Sequence, residues 1–446
     1  MNLKQHIKET VRLAVPVMLS QIGHMMVGVS DSIMVGRVGA IPLAAISLAN
    51  SVFILILLFG IGVSYGLTPL VATAHGQGSN RDITYVLKNG MLLNIILGAV
   101  LSILCYFLSS ILWHMDQTPE VVKHAVDYLH IIAYSMIPLM VFQTLRQLIE
   151  GMSLTKEVMK ISLLGNVANI GLNYVLIYGH MGFSPMGLVG AGIATFISRV
   201  LMAAMLYGYY RKSNRFNSIR FHDKVVSIEL TELKKILKIG LPTGVQFILE
   251  VSAFSGSAII IGRMGTLPLA SHQIAMNLAS VTYMAATGFA AAGTIRVGNL
   301  MGSKNYQGVR VAGFTNFGIT AAMMFLFALA FVFLRFRLPW IYISDGEVVS
   351  YAAKLLVIAA VFQLSDGVQA VGLGVLRGLA DVKVPTLMTL IAYWGIAIPV
   401  GYVLGMYYQL EAEGVWVGLL SGLTMGAISH LIRFNKLTRE LQNSKI

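Results

Sequence analysis

Residues 36–44 read GRVGAIPLA and residues 262–270 read GRMGTLPLA, so six of nine positions agree at an offset of 226. Pro16 and Pro242 are separated by the same offset. Long apolar runs surround both segments and dominate the rest of the chain. The sequence therefore consists of two related halves that are built from the same kind of apolar element.

The composition excludes a soluble protein. Of the 446 residues, 56% are hydrophobic and 11% are charged, whereas soluble domains average about 25% charged residues. The mean hydropathy is +0.75. Polar residues must cover the outside of a soluble globule, and a disordered chain needs low hydrophobicity with high net charge. A polytopic membrane protein remains.

The apolar runs predict twelve membrane-spanning helices, since one span needs about 20 mostly apolar residues. The predicted spans are 10–36, 46–74, 84–110, 121–150, 157–180, 186–210, 236–262, 272–300, 307–334, 346–376, 384–409 and 413–436. Six spans in each half give both repeats the same orientation, as in transporters with parallel repeats. We therefore predict an all-α protein with two six-helix lobes around a central cleft.

The distribution of lysine and arginine predicts the orientation and the domain boundaries. With the N-terminus in the cytoplasm, the inner segments hold about 24 of the 32 basic residues and the outer segments about six. Residues 211–238 form a basic linker between an N-lobe, residues 1–210, and a C-lobe, residues 239–446. Both termini then face the cytoplasm. The membrane explains the net charge of +13 better than nucleic-acid binding does.

Three carboxylates lie inside predicted spans: Asp31 in helix one, Glu250 in helix seven and Asp366 in helix ten. An ionisable group at mid-bilayer costs at least about 2.5 kcal/mol and is rare without a role. None of the three has a lysine or arginine within one helical turn. One interpretation is a protonated acid that hydrogen-bonds a neighbouring helix. The interpretation we favour is a cation site for a proton, an organic cation or sodium, the last at Glu250 and Asp366.

Polar amides are spaced one helical turn apart near these carboxylates: Asn169 and Asn173 in helix five, Gln246 before Glu250 in helix seven, and Gln273 and Asn277 in helix eight. They are either interhelical hydrogen-bonding groups, which are common in membranes, or supporting groups of the cation sites. Pro16 and Pro242 each remove a helix hydrogen bond and are candidate hinges, although a packing bend explains them equally well.

No motif indicates an enzyme. The stretch GVSYG at 62–66 fits the GxSxG pattern, but that motif needs a strand–turn–helix setting and here lies inside a span. Neither HExxH nor GxxxxGK[ST] is present, so we expect no ATP hydrolysis and no cofactor. We expect Arg146 to pair with Glu150 at i+4 and Lys354 to reach an interface.

Twelve spans in two repeats resemble the multidrug and toxic compound extrusion (MATE) transporters. The segments that carry the resemblance are PTGVQFILEVSAFSGSAIIIGRMGTLPLASHQIAMN at 242–277 and FQLSDGVQAVGLGVLRGLADVKVP at 362–385. The pair Glu250 and Asp366 is similar to the NorM-type bacterial branch in particular. The resemblance implies a cation-coupled exporter of cationic, amphipathic compounds that works by alternating access in the bacterial inner membrane. The implied partners of the protein are organic cations and membrane lipid, and not nucleic acid. We expect the protein to function as a monomer.

The resemblance also implies roles for single residues. In the family, a helix-seven Glu and a helix-ten Asp form a cation site in the C-lobe, and these positions correspond to Glu250 and Asp366. A helix-one Asp with polar residues of helix five forms a site in the N-lobe. Those positions correspond to Asp31 with Asn169 and Asn173.

Two positions depart from the family pattern. Phe362 stands where NorM-type proteins can carry a Tyr that contributes to the cation site, and Asn173 stands where some members carry a second Asp. The coupling ion, Na⁺ or H⁺, and the lobe that binds it therefore stay open. On the same fold, the alternative is a flippase or exporter of a lipid-linked or other endogenous metabolite. An anionic substrate usually requires Arg or Lys inside the membrane, so the intramembrane carboxylates favour a cationic substrate. The internal duplication of the sequence does not by itself exclude an ion channel.

Overall fold

A computed structural model describes residues 3–222 and 227–443, which are almost entirely helical and contain no strand. In the first half, the helices are α1 (Leu3–Gly36), α2 (Ala40–Ser64), α3 (Leu67–Gln77), α4 (Asn80–Leu108), α5 (Pro119–Tyr134), α6 (Met136–Gly151), α7 (Thr155–Tyr178), α8 (Gly187–Lys212) and α9 (Asn217–His222). In the second half, they are α10 (Leu230–Gly262), α11 (Thr266–Gly302), α12 (Tyr306–Leu334), α13 (Gly346–Gly378), α14 (Lys383–Leu390), α15 (Ile398–Tyr402) and α16 (Glu411–Asn443). Segments 391–397 and 403–407, before and after α15, are π-helical.

The predicted all-α class is confirmed, and so is the number of spans. Within the described residues, eleven segments are long and apolar enough to cross a membrane. The pair α5 and α6, bent by 41° at the break between them, meets the same criteria when counted together as one broken span, which gives twelve. Each sequence repeat therefore supplies six spans, as the sequence predicts.

Two predicted spans, the second and the fourth, are interrupted, and a proline explains each interruption. A proline ring clashes with the carbonyl group four residues earlier and removes one helix hydrogen bond. Pro69 acts in this way on Tyr65, where α2 gives way to α3, and Pro138 acts on Tyr134, where α5 ends. Pro16 and Pro242, by contrast, lie inside unbroken helices, and their role as hinges stays a prediction.

The described chain forms two compact units. The N unit comprises residues 19–244, and the C unit comprises the chain up to Met18 and from Val245 onward. The chain passes from one unit to the other inside α1 and inside α10, within three residues of Pro16 and Pro242. The start of α1 therefore packs in the C unit and the start of α10 in the N unit, which the lobe boundaries predicted from the sequence do not include.

Helices α11 and α13 of the C unit approach each other closely because α13 carries glycines at their contact. A Cβ atom at Gly374 would lie 2.2 Å from the carbonyl oxygen of Ala290, and one at Gly378 would lie 2.9 Å from that of Thr294. Thr294 Oγ1 donates a hydrogen bond of 2.7 Å to the carbonyl oxygen of Gly374. Small residues are the usual means by which helix backbones approach each other in membranes.

We expect Gly374→Val to destabilise the C unit, because the new side chain would meet the backbone of α11. Overpacking costs about 1–3 kcal/mol, so the melting temperature in detergent and the yield of monodisperse protein should both fall. Gly208→Val in α8 is the matched control, since a Cβ atom at Gly208 meets no atom within 4 Å. Equal melting temperatures for the two variants would contradict this account of α11 and α13.

Candidate functional site

The first candidate site is a hydrogen-bonded chain in the N unit that begins at Asp31 of α1. Asn173 of α7 donates from Nδ2 to Asp31 Oδ1 at 2.5 Å and to Asn169 Oδ1 at 3.2 Å. Asn169 Nδ2 donates to Ser198 Oγ of α8 at 3.4 Å. All four side chains are buried. The structure thus brings together the three N-unit residues that the sequence singles out.

The oxygens of this cluster have capacity for a further donor or cation. Asn173 Oδ1 is buried and accepts no hydrogen bond within the described part of the chain. A buried acceptor without a partner is costly, and carboxylate and amide oxygens are the ligands that hard cations prefer. A proton on Asp31, a sodium ion or a substrate ammonium group would each supply what these oxygens lack.

Arg199 of α8 belongs to the surroundings of this site, and the sequence analysis missed it. Its Nη1 donates to Ser135 Oγ at 2.5 Å, and the guanidinium lies 5.4 Å from the centre of the Phe53 ring. Arg199 and Tyr128 are both close enough to Asp31 to interact with its charge. A lone arginine inside the apolar run of the sixth span was the available signal. The N unit therefore holds a positive as well as a negative group.

The second candidate site is the carboxylate pair of the C unit, Glu250 of α10 and Asp366 of α13. Both side chains are buried, and their charges interact with each other. Gln246 Nε2, one turn earlier on α10, donates to Glu250 Oε1 at 3.0 Å. Asp366 makes no hydrogen bond to any described residue. Two buried carboxylates whose charges interact can share one proton or hold one cation between them.

Tyr393 and Gln369 extend the C-unit site, and neither was predicted as a site residue. Tyr393 is buried in the π-helical segment 391–397, and its hydroxyl donates to Gln369 Oε1 at 3.0 Å. The phenol also interacts electrostatically with Glu250 and Asp366. Single π turns occur frequently at functional sites. In the sequence, Tyr393 is one aromatic residue among many, so only the structure identifies it.

The predicted supporting groups of α11 differ from Gln246 in their burial. Gln273 and Asn277 of α11 are exposed, in contrast to the buried Gln246. Phe362, the departure noted in α13, packs edge-on against Trp416 and Phe254 with ring centres 5.3 and 6.3 Å away. This position therefore contributes packing where a Tyr would have contributed an oxygen.

The predicted pairing of Arg146 with Glu150 is confirmed. Arg146 Nε lies 2.8 Å from Glu150 Oε1, and both side chains are at most 5% exposed. Lys354 is 65% exposed, and its Nζ lies 4.0 Å from Glu413 Oε1.

The MatE family model matches residues 16–175 and 242–403, one copy in each repeat. The chain belongs to the MatE family. It is 32% identical to the multidrug resistance protein NorM of Photobacterium profundum over 97% of this chain and 96% of that protein. The identity to the multidrug resistance protein MdtK of Yersinia pseudotuberculosis is also 32%, over the same shares of the two chains. The resemblance stated from the sequence is confirmed.

Solved structures of MATE transporters share the fold over nearly the whole chain. The eukaryotic MATE transporter AtDTX14 is 20% identical and superposes with a TM-score of 0.88, covering 100% of both chains. A MOP superfamily transporter from Pyrococcus furiosus is 20% identical with a TM-score of 0.90, covering 98% of this chain and 97% of the other. A MatE-family transport protein with a multi-pass helical architecture is therefore established for this chain.

Proposed function

We propose that this MatE-family chain is a secondary antiporter that exports cationic, amphipathic compounds in exchange for Na⁺ or H⁺. The observation that carries the proposal is the set of buried carboxylates, Asp31 in the N unit and the pair Glu250 and Asp366 in the C unit. None of them forms an ion pair within the described chain. Buried charges normally have a partner, so a bound cation is the natural partner here.

The coupling mechanism follows from competition for these carboxylates. An external Na⁺ or H⁺ binds at Glu250 and Asp366, or at Asp31, and reduces the attraction for an organic cation. The compound is released outside, the coupling cation leaves to the cytoplasm, and a new compound binds from within. Alternating access with Pro16 and Pro242 as hinges belongs to the same proposal. Gln273 and Asn277, being exposed, would contact hydrated substrate instead of bracing a carboxylate.

The cellular setting is part of the proposal. The excess of basic residues in the inner segments supports a bacterial inner-membrane protein with both termini in the cytoplasm. We propose that the chain works as a monomer surrounded by lipid and that it catalyses no covalent reaction. In this proposal the two predicted lobes move during transport. They comprise residues 1–210 and 239–446, and residues 211–238 link them.

Arg199 supports a second candidate function, the export or flipping of an anionic, lipid-linked or other endogenous metabolite. A half-buried arginine whose hydrogen bond goes to a neutral hydroxyl can bind a carboxylate or phosphate group. Asp31 lies within electrostatic range of the same guanidinium, which weakens its attraction for anions. The organic cation therefore stays the first candidate.

The test is ethidium efflux from intact cells that express the chain, at fixed external pH, with and without a pulse of sodium. We expect efflux above that of cells without the protein and a stimulation by either sodium or a pH gradient. Asp31→Asn should lower the efflux rate by about tenfold or more, since an interaction of about 1.4 kcal/mol corresponds to a factor of ten. Membrane content of each variant is measured beside the rate.

Absence of efflux for several cationic dyes, with the protein verified in the membrane, would contradict the antiporter and favour the anionic cargo. Sodium-stimulated efflux would identify Na⁺ as the coupling ion. Efflux that follows only the pH gradient and disappears in Asp31→Asn would identify H⁺ and the N-unit site.

A further inference from the structure

A series of buried polar groups in the C unit lies between the Glu250 and Asp366 pair and the end of the unit that we propose to face the cytoplasm. Tyr393 and Gln369 are its first members, joined by the 3.0 Å hydrogen bond described above. Gln369 packs beside Gly426 of α16, where a Cβ atom would lie 3.5 Å from Gln369 Cγ. His430 follows one turn later on the same helix.

His430 is fully buried, and its surroundings are unusual for a core histidine. Neither ring nitrogen makes a hydrogen bond of normal geometry within the described chain. The side chain packs against Gly372 of α13, where a Cβ atom would lie 3.4 Å from Nδ1. The carbonyl groups of Gln369 and Pro385 and the carboxylate of Asp381 interact with the ring. Each of these three neighbours presents an oxygen, which is the acceptor that an imidazole N–H group needs.

The series ends at the surface. Asp381, the charged group that acts on His430, accepts a hydrogen bond from Arg433 Nε at 2.9 Å. The side chains of Asp381 and Arg433 are 18% and 27% exposed, so this ion pair is in contact with solvent. His430 lies one turn before Arg433 on α16, which places the imidazole between the carboxylate pair and this exposed ion pair.

Further buried groups in this half of the C unit also lack a partner among the described residues: Asn316 Oδ1 and Thr320 Oγ1 of α12, and Thr389 Oγ1 of α14. Buried polar groups are bonded to protein or to ordered water in the great majority of cases. A buried water typically makes about three hydrogen bonds to such groups. These atoms and the His430 ring are therefore suited to bind a short row of water molecules.

We propose that His430 relays protons between the Glu250 and Asp366 pair and the cytoplasmic end of the C unit, through water bound by this buried polar series. The relay rests on the antiport function proposed above and adds the route for its coupling ion. A carboxyl O–H bond breaks, the proton passes through water to one ring nitrogen, and the N–H bond on the other nitrogen breaks toward water beside Asp381. A ring flip restores the first tautomer, so no net change remains on His430.

The experiment uses the full chain in liposomes with tetraphenylphosphonium as substrate and the membrane potential clamped. Counterflow exchange of labelled for unlabelled substrate needs no ion gradient, whereas uptake driven by a pH gradient does. His430→Gln keeps a hydrogen-bonding side chain but exchanges no proton near neutral pH. We expect it to lower pH-driven uptake, and the substrate-triggered proton flux seen with pyranine, by about a hundredfold, and to leave counterflow unchanged.

His272→Gln is the matched control, because His272 is another buried histidine of the C unit but receives a 3.1 Å hydrogen bond from Trp416 Nε1. It should keep both activities. Full pH-driven uptake in His430→Gln would overturn the relay, and so would an equal loss of counterflow, which indicates a structural role. A wild-type protein with counterflow but no pH-driven uptake would overturn the relay and leave export intact. Absence of wild-type counterflow would overturn both.

Discussion

Glu250→Gln and Asp366→Asn should each abolish ion-driven efflux while leaving the protein folded in the membrane. The two carboxylates are buried together, and Gln246 supplies one hydrogen bond to the pair. A cation about 4 Å from a carboxylate gains about 4 kcal/mol at an effective dielectric constant near 20. Since about 1.4 kcal/mol is a factor of ten, the apparent affinity for the coupling cation should fall by about a hundredfold or more.

Both substitutions remove a charge but keep a side chain of the same size, so the packing of the C unit is preserved. The measurement is the dependence of the efflux rate on sodium concentration and on pH in each single variant and in the double variant. Because one site is affected, the double variant should lose little more than either single variant. Additive losses, or coupling that persists in both single variants, would contradict a shared C-unit site.

Gln246→Leu tests the support of this pair separately. Its amide donates from Nε2 to Glu250 Oε1 at 3.0 Å. Its loss removes a hydrogen bond to a charged group, which is worth about 1.5–3 kcal/mol. We therefore expect a weaker version of the Glu250→Gln defect in the same ion titration, and not a different substrate range.

The all-α architecture and its two repeats could be predicted because the length of each apolar run and the spacing of the repeat are properties of the sequence itself. The interruptions near Pro69 and Pro138 were not predicted, and a proline alone does not determine them, because the helices that contain Pro16 and Pro242 are continuous. The sequence could not show that α1 and α10 each begin in one unit and end in the other. This arrangement depends on which neighbours the start of each helix packs against, and that is tertiary information.

The residues of the candidate sites also differ in whether the sequence alone could identify them. Asp31, Glu250 and Asp366 stand out because a carboxylate in an apolar run is costly. Arg199 was open to the same argument and was overlooked among the basic residues of the span ends. Tyr393 carried no comparable signal, because an aromatic residue is ordinary in a span and the π-helical segment that holds it has no sequence signature.

The buried ion pair Arg146 and Glu150 gives the largest expected effect on stability. Its atoms are 2.8 Å apart, and both side chains are at most 5% exposed. Glu150→Gln leaves the arginine charged and buried, with the 3.4 Å hydrogen bond from its Nη2 to Gln21 Oε1 still in place. Removing one partner of a buried pair costs about 3–5 kcal/mol, so the melting temperature in detergent should fall by about 5–10 °C.

Replacing both partners separates the cost of a stranded charge from the value of the pair. Arg146→Met with Glu150→Leu removes both charges and keeps apolar volume, a change that is often neutral or stabilising. The double variant should therefore melt well above Glu150→Gln. Lys160→Met is the exposed control: its 3.3 Å pair with Glu157 has a 62% exposed lysine and should contribute less than about 1 kcal/mol. A double variant that melts as low as Glu150→Gln would show that the pair holds the N unit together through its hydrogen-bond geometry and not merely by neutralising a charge.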